Sequence, residues 1–295
     1  MSLLSSKRLS YLKALRPWQW AKNLLILVPF ILSNSYSFEK LQYSLALFFL
    51  FSLFVSGNYI LNDLSDIHLD KNHPEKKDRP IAAGEITPYS ARKLSLFLFL
   101  IPGVITYSFY EIKVLYLFFL YLGVAVLYTK YLKFINLIDA VTISFLFIIR
   151  IVIGGIATNV AITIRLYVFI FLMSIFIVYL KKNSILNKKS LENNLFHKTL
   201  KQQNKKFSFK NTLFLFGGLA NLSLLFWSFT LLTIITIDRL LALVIYNIIF
   251  LYITIRLIKS STASKLEDFV YGVVADKVLL ILFSITLLLF IYFYF

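Results

Sequence analysis

Long apolar runs recur from residue 18 to the C-terminus, and they constrain this chain more than any other feature. Residues 41–61, 136–157 and 277–294 each supply the roughly 20 mostly apolar residues that a helix needs to cross a hydrocarbon core of about 30 Å. In lipid, each segment has to satisfy its own backbone hydrogen bonds, so such runs fold as helices. Nine spans are expected, at 18–35, 41–61, 91–109, 113–129, 136–157, 164–181, 211–231, 239–257 and 277–294. The fold class is an all-α membrane protein, read as one polytopic domain over 1–295. Charged residues are 15% of the chain, against about 25% in soluble domains.

Lysine and arginine set the expected orientation. With the N-terminus in the cytoplasm, 26 of the 31 lie inside, while Lys40, Lys113, Arg165 and Arg239 lie outside and Arg150 sits within a span. This asymmetry follows the positive-inside rule and puts the C-terminus outside. The net charge of +17 then reports cytoplasmic loops facing anionic lipid rather than nucleic acid, for which no basic-aromatic module is present. Cysteine is absent, which excludes disulfides, thiolate metal sites and cysteine nucleophiles.

Polar chemistry is concentrated in one place. Six of the 14 acids fall between Asp63 and Glu85, directly after the apolar run ending at Leu61. That stretch begins Asn62-Asp63-Leu64-Ser65-Asp66-Ile67-His68-Leu69-Asp70. On a continuing helix Asp63, Asp66 and Asp70 recur at i, i+3 and i+7, and Asn62 stands four residues before Asp66, so the oxygens share one face. Carboxylates that close repel one another without a cation. Hard oxygen ligands suit Mg²⁺, which takes a few carboxylates plus substrate phosphates. Lys76, Lys77 and Arg79 follow at once and suit a diphosphate. A solvated mixed-charge loop is the plain alternative. The helical spacing and the basic, proline-containing sequel favour an active site in the cytoplasmic loop 62–90.

Other candidates are spread along the chain. After a cytoplasmic segment 1–17, Gln19, Lys22 and Asn23 form a polar stripe at the start of the first span, and Lys22 is read as either a snorkelling cation or a phosphate ligand. Trp18 and Trp20 read as interfacial anchors. His68 and His73 are candidate ligands or bases. Tyr128 and Lys133 lie near the end of the fourth span. Asp139 sits just inside the fifth, where an acid has to be paired, wet or functional. Arg150 is about 16 Å further along at 1.5 Å per residue, too far for a direct pair. Gly154 and Gly155 permit close packing or a bend. Lys181 and Lys182 end the sixth span within reach of a phosphate, and the basic loop 182–210 has room for a surface helix. Glu267, Asp268, Asp276 and Lys277 read as loop charge or as a second acidic site. No Walker motif, dinucleotide fingerprint, zinc spacing or nucleophile elbow is present.

Together these residues resemble the UbiA-type intramembrane prenyltransferase superfamily. Asn62-Asp63-x-x-Asp66-x-x-x-Asp70 matches its first aspartate motif, and Tyr128 through Asp139 matches part of its second. The chain is similar to the branch of decaprenyl-phosphate phosphoribosyltransferases through Arg16-Pro17-x-Gln19-Trp20-x-Lys22-Asn23, His73-Pro74-x-Lys76-x-x-Arg79-Pro80, Leu132-Lys133 continuing to Asp139 and Arg150, and Glu267-Asp268 with Asp276-Lys277. The resemblance implies a helical bundle in the bacterial cytoplasmic membrane, with a cavity open to the cytoplasm. It implies Mg²⁺-dependent transfer of 5-phosphoribose from phosphoribosyl diphosphate to a polyprenyl phosphate. Asn62, Asp63, Asp66 and Asp70 would hold the metal. Lys76, Arg79 and Lys133 would bind phosphate oxygens, with Gln19, Lys22, Asn23, Tyr128, Arg150 and Lys181 as further substrate contacts. Asp139 would orient Lys133, Tyr128 or the ribose hydroxyls. Two alternatives stay open: a prenyltransferase of the same fold with a prenyl diphosphate donor, and a transporter or lipid-binding protein. The oligomeric state is not legible.

Overall fold

A computed structural model describes residues 2–33, 36–72, 76–188, 195–206, 208–230, 236–266 and 268–294; the sequence candidates His73, Glu192 and Glu267 lie outside them. Among the described residues all regular structure is helical: α1 (Ser2–Leu15), a 3-10 helix (Pro17–Leu27), α2 (Val28–Ile31), α3 (Phe38–Ser65), α4 (Ile67–Lys71), α5 (Pro88–Phe109), α6 (Ile112–Lys130), α7 (Asn136–Thr158), α8 (Ile164–Leu186), α9 (Leu195–Lys206), α10 (Phe209–Ser228), α11 (Ile237–Thr262), α12 (Phe269–Ala275) and α13 (Lys277–Tyr294). Eight of them, α3, α5 to α8, α10, α11 and α13, are long and apolar enough to cross a membrane.

The ninth expected span, 18–35, takes a different form. Its first part is 3-10 rather than α-helical, and α2 adds one turn. At about 2 Å per 3-10 residue and 1.5 Å per α residue, these fifteen residues reach about 28 Å. That length is comparable to a hydrocarbon core.

Helix ends follow from local chemistry. Ser37 caps α3, accepting the Lys40 N–H at 3.1 Å, and Thr87 caps α5, accepting the Ser90 N–H at 3.2 Å ahead of Pro88. On α5, Ala91, Ser95, Leu98, Pro102 and Thr106 are buried, whereas Phe97, Leu100, Val104 and Tyr107 form an exposed stripe. Small and polar groups therefore face protein and large apolar ones face outward, as a lipid environment requires.

The chain divides into two compact units, residues 1–133 with 146–162, and 134–145 with 163–295. In the first, Phe51 and Phe54 of α3 pack edge-on or tilted against Phe118 of α6 at 5.0 and 5.1 Å, together with Ile149 and Ile153. In the second, Phe176, Tyr179, Phe209, Ile253, Leu257 and Leu279 form the core. The basic stretch after α8 contains the expected surface helix as α9, which buries His197 and Leu200 and exposes Lys198, Lys201 and Lys205.

Gly154 shows how closely the 3-10 helix lies on α7. A Cβ there would stand 2.1 Å from the carbonyl oxygen of Ile26, whereas one at Gly218 would meet nothing within 4 Å. The obstacle is backbone and cannot rotate away. Gly154→Ala should therefore cost about 1–3 kcal/mol or more, read as a lower unfolding midpoint of the purified protein. Gly218→Ala should leave the midpoint unchanged or slightly raised.

Candidate active site

The acidic stretch is nearly one helix but not quite. α3 ends at Ser65, Asp66 takes φ −100° and ψ 9°, and α4 resumes at Ile67. Backbone bonds cross the break, from Asp66 N–H to Asn62 at 3.0 Å and from Asp70 N–H to Asp66 at 2.8 Å. Asp63 and Asp70 turn inward and are buried, while Asn62 and Asp66 stay half-buried. Among the described residues no three acids or histidines gather as a ready metal cage, and His68 is exposed.

The loop after α4 is fixed by its apolar residues. Ile81 and Ile86 are buried with Ile60, Ala14, Ala91 and Leu98, and the loop closes through bonds from Ala83 N–H to Arg79 at 2.8 Å and from Ile86 N–H to Pro80 at 3.1 Å. This anchoring aims Arg79 at the acids. Its Nη1 donates to Asp63 at 2.9 Å and to Asp70 at 2.6 Å. Arg16 donates to the same oxygen of Asp63. Lys76 stands 4.0 Å from Asp70. Burial, and then the charge of Arg79, push the Lys76 pKa down, Asp70 and Asp66 oppose the shift, and Lys133 adds to it. Two buried carboxylates thus sit among three cations, Arg16, Arg79 and Lys76; Lys133 is close enough to act on Lys76, and Tyr128 belongs to the same unit. In the sequence Arg16 stands out as a cytoplasmic basic residue and as the start of the Arg16-Pro17 motif, not as a partner of the acids. A left-handed residue (φ 54°, ψ 57°) before Pro17 carries it to Asp63, with its guanidinium 5.4 Å over the Tyr59 ring. Nothing in the local sequence announces that contact.

The polar stripe on the 3-10 helix separates. At three residues per turn, i and i+3 eclipse, whereas i+4 lies about a third of a turn away. Lys22 donates to Gln19 at 2.6 Å on the exposed side. Asn23 instead points inward, donating to Ser52 at 3.0 Å and accepting from Arg150 Nε at 2.9 Å. Trp20 also turns inward and donates to Ser56 at 3.0 Å, and only Trp18 keeps the exposure of an interfacial anchor. Arg150 is buried, with Nη2 donating to Tyr121 Oη at 2.8 Å and Nη1 to the Leu146 carbonyl at 2.6 Å. Asn23 and Arg150 therefore join α3, α6, α7 and the 3-10 helix.

In the second unit the partner of Asp139 is Lys182. The two meet at 2.6 Å, both almost fully buried, and Lys182 also donates to Asn136 at 3.2 Å over the Tyr179 ring. Read from sequence, Asp139 has an orienting role toward Lys133, Tyr128 or the ribose hydroxyls, and spacing alone does not name Lys182 as a partner. The sequence reading also favoured Lys181, which is exposed, over its neighbour. Near the C-terminus Asp276 accepts from Arg256 at 2.8 and 3.0 Å and caps α13, so its charge is structural. The Arg256 hydrogen bonds hold its carboxyl below the usual range.

The Asp63–Asp70 pair suits a divalent cation. Both carboxylates already converge on one cationic nitrogen, and Mg²⁺ is commonly held by one or two carboxylates plus substrate phosphates.

The model of the UbiA prenyltransferase family matches residues 24–275. The chain belongs to that family, and with its eight long apolar helices it is an integral membrane protein. It is 32% identical over 155 residues to a decaprenyl-phosphate phosphoribosyltransferase of Mycolicibacterium smegmatis, covering 50% of this chain and 48% of that one. It is 31% identical over 153 residues to the nodulation protein NoeC of Azorhizobium caulinodans, covering 52% and 49%. The chain spans about half the length of these curated relatives, and 31% of an uncharacterized Sinorhizobium fredii protein to which it is 34% identical over 160 residues. Among solved structures it superposes on a digeranylgeranylglyceryl phosphate synthase with a TM-score of 0.65 at 22% identity, covering 98% and 99%. A UbiA homolog from Archaeoglobus fulgidus bound to GPP and Mg²⁺ gives 0.63 at 16%, covering 96% and 97%. The expected fold class stands.

Proposed function

We propose that this protein transfers 5-phosphoribose from phosphoribosyl diphosphate to a polyprenyl phosphate in a Mg²⁺-dependent reaction. The observation that carries the reading is the pair of buried carboxylates held among Arg16, Arg79 and Lys76, with Lys133 close enough to act on Lys76. Such a site matches a metal diphosphate, which presents positive and negative charge together. The half-chain likeness to a decaprenyl-phosphate phosphoribosyltransferase supports phosphoribose as the group moved.

The donor's C–O bond to diphosphate breaks, its electron pair leaving with the diphosphate, and an acceptor phosphate oxygen forms the new C–O bond. Asp63, Asp70 and the half-buried Asp66 would hold the metal, which when bound neutralises charge on the leaving diphosphate. Arg79, Lys76 and Lys133 bind phosphate oxygens as a planar fork and two point charges. The acceptor is already anionic, so no strong general base is needed. The site and the N-terminus face the cytoplasm in this reading, where the basic loops concentrate.

A second reading moves a prenyl group from a prenyl diphosphate, and it is favoured by the Archaeoglobus fulgidus homolog solved with GPP. Purified protein with Mg²⁺ and polyprenyl phosphate is tested with labelled phosphoribosyl diphosphate. In parallel it is tested with labelled prenyl diphosphate and a panel of aromatic acceptors. Label entering lipid from the ribosyl donor alone is expected. Transfer from the prenyl donor alone overturns the reading in favour of the second.

A further inference from the structure

The four charged groups nearest the centre are not equivalent. Asp63 and Asp70 are almost fully buried, with side chains 4% and 3% exposed. Arg16 is held from both sides, by its place before Pro17 and by the Tyr59 ring under its guanidinium. Arg79 has a fixed backbone, pinned by Ile81 and Ile86, but its side chain is 27% exposed. One nitrogen of that side chain lies within 2.9 Å of both carboxylates, in the place a bridging cation would take.

We propose that Arg79 is a resident cation that closes the Asp63–Asp70 pair to free divalent metal, so that the pair accepts a metal only together with a diphosphate, which draws the guanidinium away. The inference rests on the diphosphate-transfer reading above and adds an order of events to it. Metal and Nη1 cannot occupy one place. With Arg16, Arg79, Lys76 and the nearby Lys133 against Asp63, Asp66 and Asp70, the cluster carries one surplus positive charge before any metal arrives. A dication alone would raise that surplus in a poorly solvated site, where like charges repel most strongly. A diphosphate reverses the balance. It also offers the guanidinium a planar, bidentate partner at least as good as the carboxylates it leaves. Arg79 is thus one side chain with two partners, the acids at rest and the diphosphate on binding.

Equilibrium dialysis of the full-length protein in lipid nanodiscs, with Mn²⁺ as the probe, reads this directly and does not depend on turnover. Inorganic diphosphate equilibrates across the membrane, so excess Mn²⁺ on the protein side reports bound metal. If Arg79 vacates the pair no more than about a tenth of the time, apparent metal affinity is weakened about tenfold or more. Wild type is therefore expected to bind Mn²⁺ at least about tenfold more tightly with diphosphate than without. Arg79→Gln should bind Mn²⁺ tightly in both conditions, and Mn²⁺ alone should raise its unfolding midpoint. Arg79→Lys, which keeps the charge, should retain the diphosphate requirement. Equal wild-type binding in the two conditions overturns the proposal and leaves the transferase reading intact, and this arm needs no variant to fold. An Arg79→Gln protein that still requires diphosphate also overturns it. Absence of Mn²⁺ binding in every arm overturns both the proposal and the metal-diphosphate reading.

Discussion

Asp63→Ala is expected to slow transfer by a factor of more than about 100, which corresponds to losing about 3 kcal/mol of stabilisation on the leaving diphosphate. The same substitution should leave the protein folded and inserted. Asp63 is buried, but its partners are not: the side chains of Arg16 and Arg79 are 19% and 27% exposed, so water can solvate them once the acid is gone. The loss therefore falls on chemistry rather than on stability. Asp66→Ala should lose comparable activity for a different reason. Among the described residues its carboxylate accepts no side-chain hydrogen bond, and it stands half-buried at the break between α3 and α4. That leaves it open to a ligand. Label transfer into lipid, alongside an unfolding curve for each variant, checks both expectations. Full activity in both variants would remove the metal-diphosphate assignment.

Asp139→Ala should behave in the opposite way. Lys182 and Asp139 are 5% and 6% exposed, and removing the acid leaves the ammonium, among the described residues, with the Asn136 side-chain oxygen and the Tyr179 and Phe209 rings. Breaking a buried pair from one side costs about 3–5 kcal/mol, whereas replacing both partners with apolar groups is often neutral. The single variant should therefore unfold well below wild type, and Asp139→Ala with Lys182→Met should recover most of the difference. The double variant also separates the roles of Asp139. Recovered stability with recovered transfer makes the pair structural. Recovered stability without transfer assigns Asp139 to the reaction. A single variant as stable as wild type would show that the pair contributes little.

Much of this protein was legible in the sequence because its strongest signals are local. Apolar runs report spans directly, since lipid leaves the backbone few alternatives. The acids at Asp63, Asp66 and Asp70 stood out because few others exist in the chain. Partnerships between distant residues were not legible. Arg16 and Asp63 are 47 residues apart, Asn23 and Arg150 are 127 apart, and which cation meets which acid is decided by packing rather than by spacing. The 3-10 geometry of Pro17–Leu27 was equally hidden, because its composition is that of an ordinary span entrance. That one difference in turn angle sent Asn23 inward, away from Gln19 and Lys22.

Among the described residues no acid pairs with Arg150, yet its three nitrogens join a carbonyl, an amide and a phenol on separate elements. A guanidinium does not lose its proton in proteins. Every partner in the brace it forms is a neutral group, so the contacts that tie α6 and the 3-10 helix to α7 depend on no carboxylate keeping its charge.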